Sequence, residues 1–503
     1  MTKASNNASY RLKKKWKSEG RCVACGKQAI TRSHCDYHRK KSMEYHKAYR
    51  KRLNPKYKAE LDDAERQNEF MKNSAYQNSQ KMHDMFIIRG GKPMAGEVMI
   101  SGSKNAAFPL IAACLLSEEP CVLEHVPAIQ DVEVMLAIAA GLGARIEWDP
   151  AGHRLMLDAG TLSSAAPDPA LSRRFRGSVL FAGALLGRLR RAEIPYPGGD
   201  AIGARPLTAH FRALEELGVT IRDSTLIEMD GANMRGAAVA MIEPSVTATE
   251  NAILAAVLTP GKTIISLGAL EPHVQELVLF LQKMGADIGY RDLVRLEING
   301  VRRLSGTTHR INPDELEISG FAALAASTRS ELTLRGIMPG YLDAVFLQLK
   351  KMGVAFTYDS DMIRISKPVA GYASARIQSG LYPKLGSDHL PPFAVLATQA
   401  EGTSLIHDWM YENRLRYLAE LRAMGAACEI LDQHRGLITG PSHLAGHRME
   451  SFDIRSGMTL VIAALVAEGE SEILRIDHID RGYERLDERL QQIGADIKRV
   501  QET

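Results

Sequence analysis

Stretches almost free of charge recur along this chain at a nearly constant spacing. Each is typical of a helix that is apolar on all sides, and each opens on a polar or charged residue. The six openings are Lys104, Arg176, Ser245, Glu317, Asp388 and Arg455. Successive openings lie 72, 69, 72, 71 and 67 residues apart. Because a helix that is apolar all round must be buried, the pattern predicts six buried helices.

A second series of helices runs out of phase with the first. Each member is amphipathic and ends in a hydrophobic residue and a glycine, followed by a short strand. The six glycines are Gly143, Gly218, Gly285, Gly353, Gly425 and Gly494. A period of about 70 residues is too long for a solenoid repeat and too short for separate domains. It predicts one unit of two helices and a few strands, copied six times.

The first turn of a buried helix carries unpaired N–H groups and a partial positive charge. If the six buried helices enter from the same side, their first turns converge. Lys104, Arg176 and Arg455 then lie where an anion is already favoured. Each could be an ordinary helix start, but three basic residues among six aligned openings favour a cleft for an anionic ligand.

The composition is that of a cored protein, with 45% hydrophobic and 24% charged residues in a chain of 503. That length predicts several domains. The sequence has no apolar run of about 18 residues and no apolar segment behind its basic N-terminus, so we expect a cytoplasmic protein without a membrane partner. Cys114, Cys121 and Cys428 lie singly in hydrophobic segments, which favours buried thiols over a disulfide framework.

Charge divides the chain into two unlike parts. Residues 1–60 hold 18 of the 63 Lys and Arg residues and 4 of the 59 acids, which leaves 45 bases and 55 acids elsewhere. Residues 61–84 are polar and amide-rich, typical of a linker or a solvated helix. The basic part interleaves its charges with Trp16, Tyr45 and Tyr49. This could be a nucleic-acid contact surface, and a solvated basic helix would have the same pattern.

The basic segment also carries a metal-binding pattern. Cys22, Cys25, Cys35 and His38 form C-x2-C-x9-C-x2-H, a spacing that can place three thiolates and one imidazole around a structural Zn²⁺. His34 is a weaker alternative ligand, and unpaired surface residues are the other interpretation. Four protein ligands would leave no open position, so we expect a structural zinc and no catalytic cofactor.

One loop is unusually informative. A strand, AEIPY, is followed by PGGDAIGARP and then by the helix LTAHFRALEELG. Gly198 and Gly199 permit a sharp turn and a close approach to a ligand. Asp200 lies at the tip, and Arg205 precedes a helix N-terminus, where it can contact phosphate or carboxylate. A tight turn with a surface acid is the alternative.

Four motifs together resemble the enolpyruvyl transferase family: GGKPMAGEVMISGSKNAAFPLIAACLL, PGGDAIGARP, WMYENR and HIDRGYER. The resemblance covers residues 85–503. It implies an α/β fold, a two-domain inside-out α/β barrel of six βαβαββ units. One domain would be residues 85–103 with 313–503, and the other residues 104–312. The six helix N-termini would face the cleft between them.

The resemblance implies transfer of the enolpyruvyl group of phosphoenolpyruvate onto the 3-hydroxyl of UDP-N-acetylglucosamine with release of phosphate, the first committed step of peptidoglycan precursor synthesis. By resemblance, Lys104, Arg205 and Arg481 would hold phosphoenolpyruvate. Arg414 and Arg455 would clamp its carboxylate. Each cation would neutralise charge in a site that must exclude water.

The resemblance also implies how the acceptor is held. Asn105, Arg176 and Asp388 would position it, with Asp388 as general base and Asp453 assisting proton transfer. Asp388 could also be the N-cap of its helix. Further substrate contacts are expected from Pro206, Leu207, His210, Ser245, Val246 and Met410.

Three positions depart from the family pattern. Asp200 stands where most members have a cysteine that protonates the methylene carbon of phosphoenolpyruvate, a role that a protonated carboxyl can fill. Thr208 and Glu243 replace an aspartate and a lysine expected around the uridine diphosphate. A different nucleotide or hydroxyl acceptor, or a non-catalytic binding protein, are therefore alternatives, whereas a 3-phosphoshikimate transferase fits the loop motifs poorly.

Overall fold

The structure is a computed structural model that describes residues 84–502, apart from 201, 204 and 293. The predicted zinc ligands Cys22, Cys25, Cys35 and His38 and the basic segment lie outside the described residues.

Helices of two kinds alternate along the chain. They are α1 (Lys104–Cys114), α2 (Gln130–Gly141), α3 (Pro169–Ser172), α4 (Phe181–Leu189), α5 (Thr208–Glu216), α6 (Val246–Ala256), α7 (Pro272–Lys283), α8 (Glu315–Ser327), α9 (Asp343–Lys351), α10 (Leu390–Thr398), α11 (Tyr417–Ala423), α12 (Ile454–Val466), α13 (Asp477–Asp480) and α14 (Leu486–Gln492). Short 3-10 turns occupy Arg176–Leu180, Pro339–Tyr341, Ser387–His389 and Arg414–Arg416.

Short strands separate the helices. They are β1 (Asp84–Arg89), β2 (Ala95–Met99), β3 (Cys121–Glu124), β4 (Arg145–Asp149), β5 (Arg154–Asp158), β6 (Arg191–Ile194), β7 (Thr220–Asp223), β8 (Ile227–Asp230), β9 (Ala238–Ala240), β10 (Lys262–Ser266), β11 (Asp287–Tyr290), β12 (Leu296–Asn299), β13 (Thr308–Arg310), β14 (Glu331–Arg335), β15 (Phe356–Tyr358), β16 (Met362–Ile365), β17 (Tyr372–Ala373), β18 (Arg376–Gln378), β19 (Ala400–His407), β20 (Ala427–Ile430), β21 (Arg435–Gly440), β22 (Arg448–Glu450), β23 (Glu470–Leu474) and β24 (Asp496–Gln501).

The strands of the described residues form six small sheets, one for each predicted repeat. Their orders are β13-β3-β5-β4, β6-β8-β7, β11-β12-β10-β9, β15-β16-β14-β2, β17-β19-β21-β20 with β18 beside β19, and β22-β23-β1-β24. All but the three-stranded sheet combine a parallel pair with antiparallel neighbours. Each sheet supports one of the helices that the first hydrophobic series predicted.

The N-terminal strands pair with strands from the far end of the chain. In β1, Phe86 lies opposite Ile473 of β23 and Arg499 of β24. Strand β2 runs parallel to β14, and β13 runs parallel to β3. The division into residues 104–312 and 85–103 with 313–503 stays a prediction.

Both helix series are present, but some predicted openings of the buried series are shifted. Ser245 is the N-cap of α6, α8 begins two residues before Glu317, and Arg176 and Asp388 lie in the 3-10 turns that precede α4 and α10. The buried series is α1, α4, α6, α8, α10 and α12; in α8, every residue from Leu316 to Ser327 is buried. The glycine that follows each helix of the second series has a φ between +76° and +106°, the left-handed region that ends a helix. These six glycines therefore stop the amphipathic helices where the sequence predicts.

Two simpler predictions can also be compared with the structure. In the described part of the chain, no helix is long and apolar enough to cross a membrane. Cys114, Cys121 and Cys428 are buried free thiols, as expected.

Candidate active site

The starts of all six buried helices line one cavity of about 310 Å³. The residues that represent these six starts in its wall are Lys104, Arg176, Val246, Glu315, Asp388 and Arg455. Side chains cap three of the helices: Ser103 caps α1, Asp314 caps α8 and Asp453 caps α12. The predicted convergence of positive helix ends is confirmed.

A first charge cluster joins the start of α1 to a residue near the C-terminus. The ammonium of Lys104 lies 2.8 Å from Asp131 Oδ2. Arg481 donates to both carboxylate oxygens of Asp131, at 3.0 and 3.2 Å, and through Nη1 to the carboxylate of Asp200. The cluster therefore shares two carboxylates between two cations.

Burial and charge oppose each other in this cluster. Burial alone would raise the pKa of Asp131, but Lys104 and Arg481 outweigh it and lower that pKa below its usual value. Burial lowers the pKa of Lys104, and Asp131 counteracts part of that shift. Asp131 thus stabilises two cations that would otherwise be buried without a counter-charge.

A second charge cluster surrounds Asp388, which lines the same cavity. Its carboxylate accepts a hydrogen bond from Arg414 Nη2 and one from Arg455 Nε at 3.3 Å. Arg455 also donates to the Tyr483 hydroxyl at 3.2 Å. Burial would raise the pKa of Asp388, but the two guanidinium groups hold it well below its usual range. Asp388 lies inside the 3-10 turn Ser387–His389 and its side chain caps neither that turn nor α10, which corrects the N-cap alternative.

The loop 197–206 brings Asp200 into the cavity because two glycines allow a close turn. A Cβ at Gly198 would lie 1.8 Å from the carbonyl oxygen of Arg173. Gly199 has a φ of +119°, which an L side chain rarely adopts. Arg205 Nη2 donates to the backbone carbonyl of Asp200 at 2.8 Å, so the loop is fixed at its tip. The predicted sharp turn is confirmed, and Gly199 and Asp200 line the cavity.

The same loop meets the segment that carries Arg414. The N–H of Asn413 donates to the carbonyl of Ile202 at 3.1 Å, and Ile202, Met410 and Tyr411 all line the cavity. The loop and this segment together form a wall that encloses the two charge clusters.

Known proteins are similar in sequence to this chain along most of its length. A family model described as EPSP synthase (3-phosphoshikimate 1-carboxyvinyltransferase) matches residues 88–490. The UDP-N-acetylglucosamine 1-carboxyvinyltransferase of Treponema denticola is 42% identical over 83% of this chain and 99% of its own length. The protein of that name from Bradyrhizobium diazoefficiens is 40% identical over 83% of this chain and 98% of its own length.

The chain belongs to the enolpyruvyl transferase family. The crystal structure of the enolpyruvyl transferase NikO from Streptomyces tendae matches its fold with a TM-score of 0.77 at 24% identity, over 84% of this chain and 100% of that one.

In this enolpyruvyl transferase, most of the predicted site residues line the cavity. They are Lys104, Asn105, Arg176, Asp200, Arg205, Val246, Asp388, Met410, Arg414, Arg455 and Arg481. Arg176 also donates to the carbonyl of Pro206 at 3.2 Å, and burial, followed by the nearby charge of Arg205, lowers the pKa of Arg176 to about 10. The structure therefore brings the predicted cations together around one space.

Five predicted residues do not line the cavity: Pro206, Leu207, His210, Ser245 and Asp453. Asp453 accepts the N–H groups of Arg455 and Ser456 at 2.8 and 2.9 Å, which fixes the start of α12. Its part in proton transfer, like the substrate contacts of the other four, stays a prediction.

His210 lies behind the cavity wall and contacts a residue that lines the cavity. Its Nε2 lies 3.1 Å from Thr247 Oγ1, and Thr247 lines the cavity. Its Nδ1 lies 2.9 Å from Asn251 Nδ2. Burial and the charge of Arg176 lower the pKa of His210 to about 3, so a neutral ring holds α5 against the start of α6.

Several cavity residues were not predicted from the sequence: Asp131, Glu250, Glu271, His273 and Glu315. Asp131 lies in the first turn of α2, where an acid is ordinary, so no local signal distinguishes it. Glu250 was detectable, because it is the one charged residue inside an otherwise uncharged buried helix. In the described part of the chain, no group of three or more His, Cys, Asp or Glu side chains could hold a metal ion.

Proposed function

We propose that this chain transfers the enolpyruvyl group of phosphoenolpyruvate to the 3-hydroxyl of UDP-N-acetylglucosamine and releases phosphate. The observation that carries the proposal is the pair of charge clusters in one cavity, each of which holds two cations beside one or two carboxylates. The names of the relatives that match most of this chain support the same acceptor. The product would serve peptidoglycan precursor synthesis in the cytoplasm.

Phosphoenolpyruvate carries two anionic groups, and the cavity offers two sets of cations. Its phosphate would take Lys104, Arg205 and Arg481, and its carboxylate would take Arg414 and Arg455. Cations held rigidly in a water-excluding site stabilise developing charge far better than cations in water. The 3-hydroxyl of the acceptor would lie between Asp388 and phosphoenolpyruvate.

Binding of this substrate would exchange counter-ions. Arg414 and Arg455 now contact Asp388, which keeps its pKa low and makes it a weak base. A substrate carboxylate that attracts these arginines would weaken their hold on Asp388 and raise its basicity. Likewise, a phosphate that attracts Arg481 would loosen the contact of Arg481 with Asp200. The two acids that do the chemistry would thus be released by the substrate itself.

The chemistry then proceeds by addition and elimination. Asp388 takes the proton of the 3-hydroxyl as its oxygen bonds to C2 of phosphoenolpyruvate, and Asp200 in its acid form gives a proton to C3. In the second step C3 returns a proton to the Asp200 carboxylate, the carbon–carbon double bond re-forms, and the bond between C2 and the phosphate oxygen breaks. The departing phosphate takes the proton that Asp388 holds. The role of Asp200 requires that its carboxyl carry the proton that C3 receives.

The test is phosphate release from phosphoenolpyruvate, followed with a panel of acceptors. We expect release only when UDP-N-acetylglucosamine is present. Release with a different nucleotide or hydroxyl acceptor would move the assignment to that acceptor, and no release with any of them would leave a binding protein. The N-terminal zinc and a nucleic-acid contact are separate proposals that rest on the sequence.

A further inference from the structure

One wall of the cavity is chemically unlike the rest and takes no part in the steps above. Four side chains form this wall, which we name the acid wall: Glu250 on α6, Glu271 and His273 at the start of α7, and Glu315 at the start of α8. Acids are unexpected beside clusters that attract anions, so the acid wall is suited to a different kind of ligand group.

Several polar atoms of the acid wall have no partner. Glu250 is 1% exposed and His273 is 7% exposed, yet Glu250 Oε1 and His273 Nδ1 make no hydrogen bond. Glu271 Oε2 is likewise unpaired. His273 Nδ1 lies 3.9 Å from Glu315 Oε1, too far for a hydrogen bond. Buried polar groups are nearly always hydrogen-bonded, so three unpaired atoms on side chains that line one cavity indicate a polar occupant.

The chemistry of the acid wall favours an uncharged occupant. Burial, and then the neighbouring Glu271, raises the pKa of Glu250 well above its usual value. Burial, and then Asp314, raises the pKa of Glu315 to about 8. Burial lowers the pKa of His273 to about 4 although Asp388 opposes that shift. Carboxylic acids and a neutral imidazole offer both donors and acceptors without a full charge.

The position of the acid wall indicates which part of the acceptor it meets. His273 lines the same cavity as Asp388, whose charge opposes the lowering of the His273 pKa, and Asp388 is the base proposed for the sugar hydroxyl. Glu250 lies one helical turn beyond Val246, a predicted substrate contact, and the same helix follows Glu243, a position expected around the uridine diphosphate. In a nucleotide sugar, the sugar ring occupies the stretch between these two points.

We propose that the acid wall is a subsite that binds the uncharged sugar ring of the acceptor through its hydroxyl and amide groups. The inference rests on the proposed function, because it assumes a nucleotide-sugar acceptor. Glu250 and His273 would determine specificity for the sugar, while the cation clusters hold phosphoenolpyruvate.

The experiment is calorimetric binding of two probes, UDP-N-acetylglucosamine and UDP, to the full chain and its variants. Glu250→Ala should weaken binding of the sugar nucleotide about tenfold, as expected for one buried hydrogen bond, and leave UDP unchanged. Glu250→Gln, which resembles the protonated acid, should restore most of the affinity. Equal losses for both probes, or no loss for either, would overturn the subsite.

Two further comparisons distinguish sugar binding from a general effect of the substitution on the fold. Glu276→Gln is the matched control, because Glu276 is equally buried on α7 but hydrogen bonds to His309 and does not line the cavity. If Glu250→Ala does not fold, His273→Leu should show the same selective loss. Tighter binding of UDP-glucosamine, with its charged amine, would overturn the subsite, since it would indicate ionised acids. If the wild type binds neither probe, the proposed function fails as well.

Discussion

The ion pair between Lys104 and Asp131 provides a direct test of how much the first charge cluster stabilises the fold. The two groups lie 2.8 Å apart and expose only 7% and 4% of their side chains. At an effective dielectric constant of about 20, charges at that separation attract by about 6 kcal/mol, and desolvation offsets part of it. Because removal of one partner leaves a buried charge, Asp131→Asn should lower the free energy of unfolding by about 3 kcal/mol.

The control has the same chemistry at the same distance but at the surface. Arg89 and Glu470 lie 2.9 Å apart with side chains 64% and 45% exposed. Glu470→Gln should therefore cost at most about 1 kcal/mol. Urea unfolding of both variants gives the comparison. Equal stability of Asp131→Asn and Glu470→Gln would show that burial does not set the strength of these ion pairs.

The same variant should respond differently to an anion. With Asp131 neutral, Lys104 and Arg481 lose a competing negative charge, so inorganic phosphate should bind more tightly and stabilise Asp131→Asn more than the wild type. The thermal midpoint at increasing phosphate concentration measures this. An equal rise in both proteins would mean that Asp131 does not compete with anions for these cations.

Three other predictions concern separate features of the chain. Fosfomycin, an epoxide, alkylates a thiolate far faster than a carboxylate, so the wild type should be active yet resistant to it. Asp200→Cys should show time-dependent inactivation by fosfomycin, and Asp200→Asn should lose turnover. Normal turnover of Asp200→Asn would exclude Asp200 as the proton donor. Burial lowers the pKa of His389 to about 4, so between pH 6.5 and 4 only the unfolded chain gains a proton at this position. The contribution of neutral His389 to the free energy of unfolding is complete above pH 6.5. It falls by up to about 1.4 kcal/mol per pH unit as the pH is lowered towards 4. Urea unfolding of His389→Gln should show a shallower loss over this range, and an unchanged slope would contradict the assignment. The purified full chain should hold about one zinc ion, and Cys25→Ser should remove this zinc without loss of phosphate release. Elemental analysis measures the zinc, and an activity assay measures the phosphate. An unchanged zinc content in Cys25→Ser would exclude the predicted ligand set.

Much of the fold was predictable because the repeat is a matter of patterning. Apolar helices must be buried, and a glycine in the left-handed region ends each amphipathic helix, so both series could be located from residue types alone. The loop at Gly198 and Gly199 was predictable for the same reason, since only glycine fits its backbone.

The contacts between distant residues were not predictable from local pattern. Asp131 looks like any acid in a first helical turn, and its role depends on Arg481, which is 350 residues away. Asp388 was open to interpretation as a helix cap because its neighbours in sequence allow it, yet the fold places two arginines beside it. Whether the side chains of Glu250 and His273 find hydrogen-bond partners depends on which residues surround them in space, and the spacing of residues in the sequence does not show this.

The proposed reaction makes an enolpyruvyl ether of UDP-N-acetylglucosamine, with Asp388 as the base. NMR detects that product alongside phosphate, and the decisive comparison is between the wild type and Asp388→Asn. We predict one phosphate released per enolpyruvyl ether formed at the 3-oxygen, and a rate lower by about a hundredfold or more in the variant. Phosphate released with pyruvate in place of the ether, or equal rates in the two proteins, would contradict the proposed reaction.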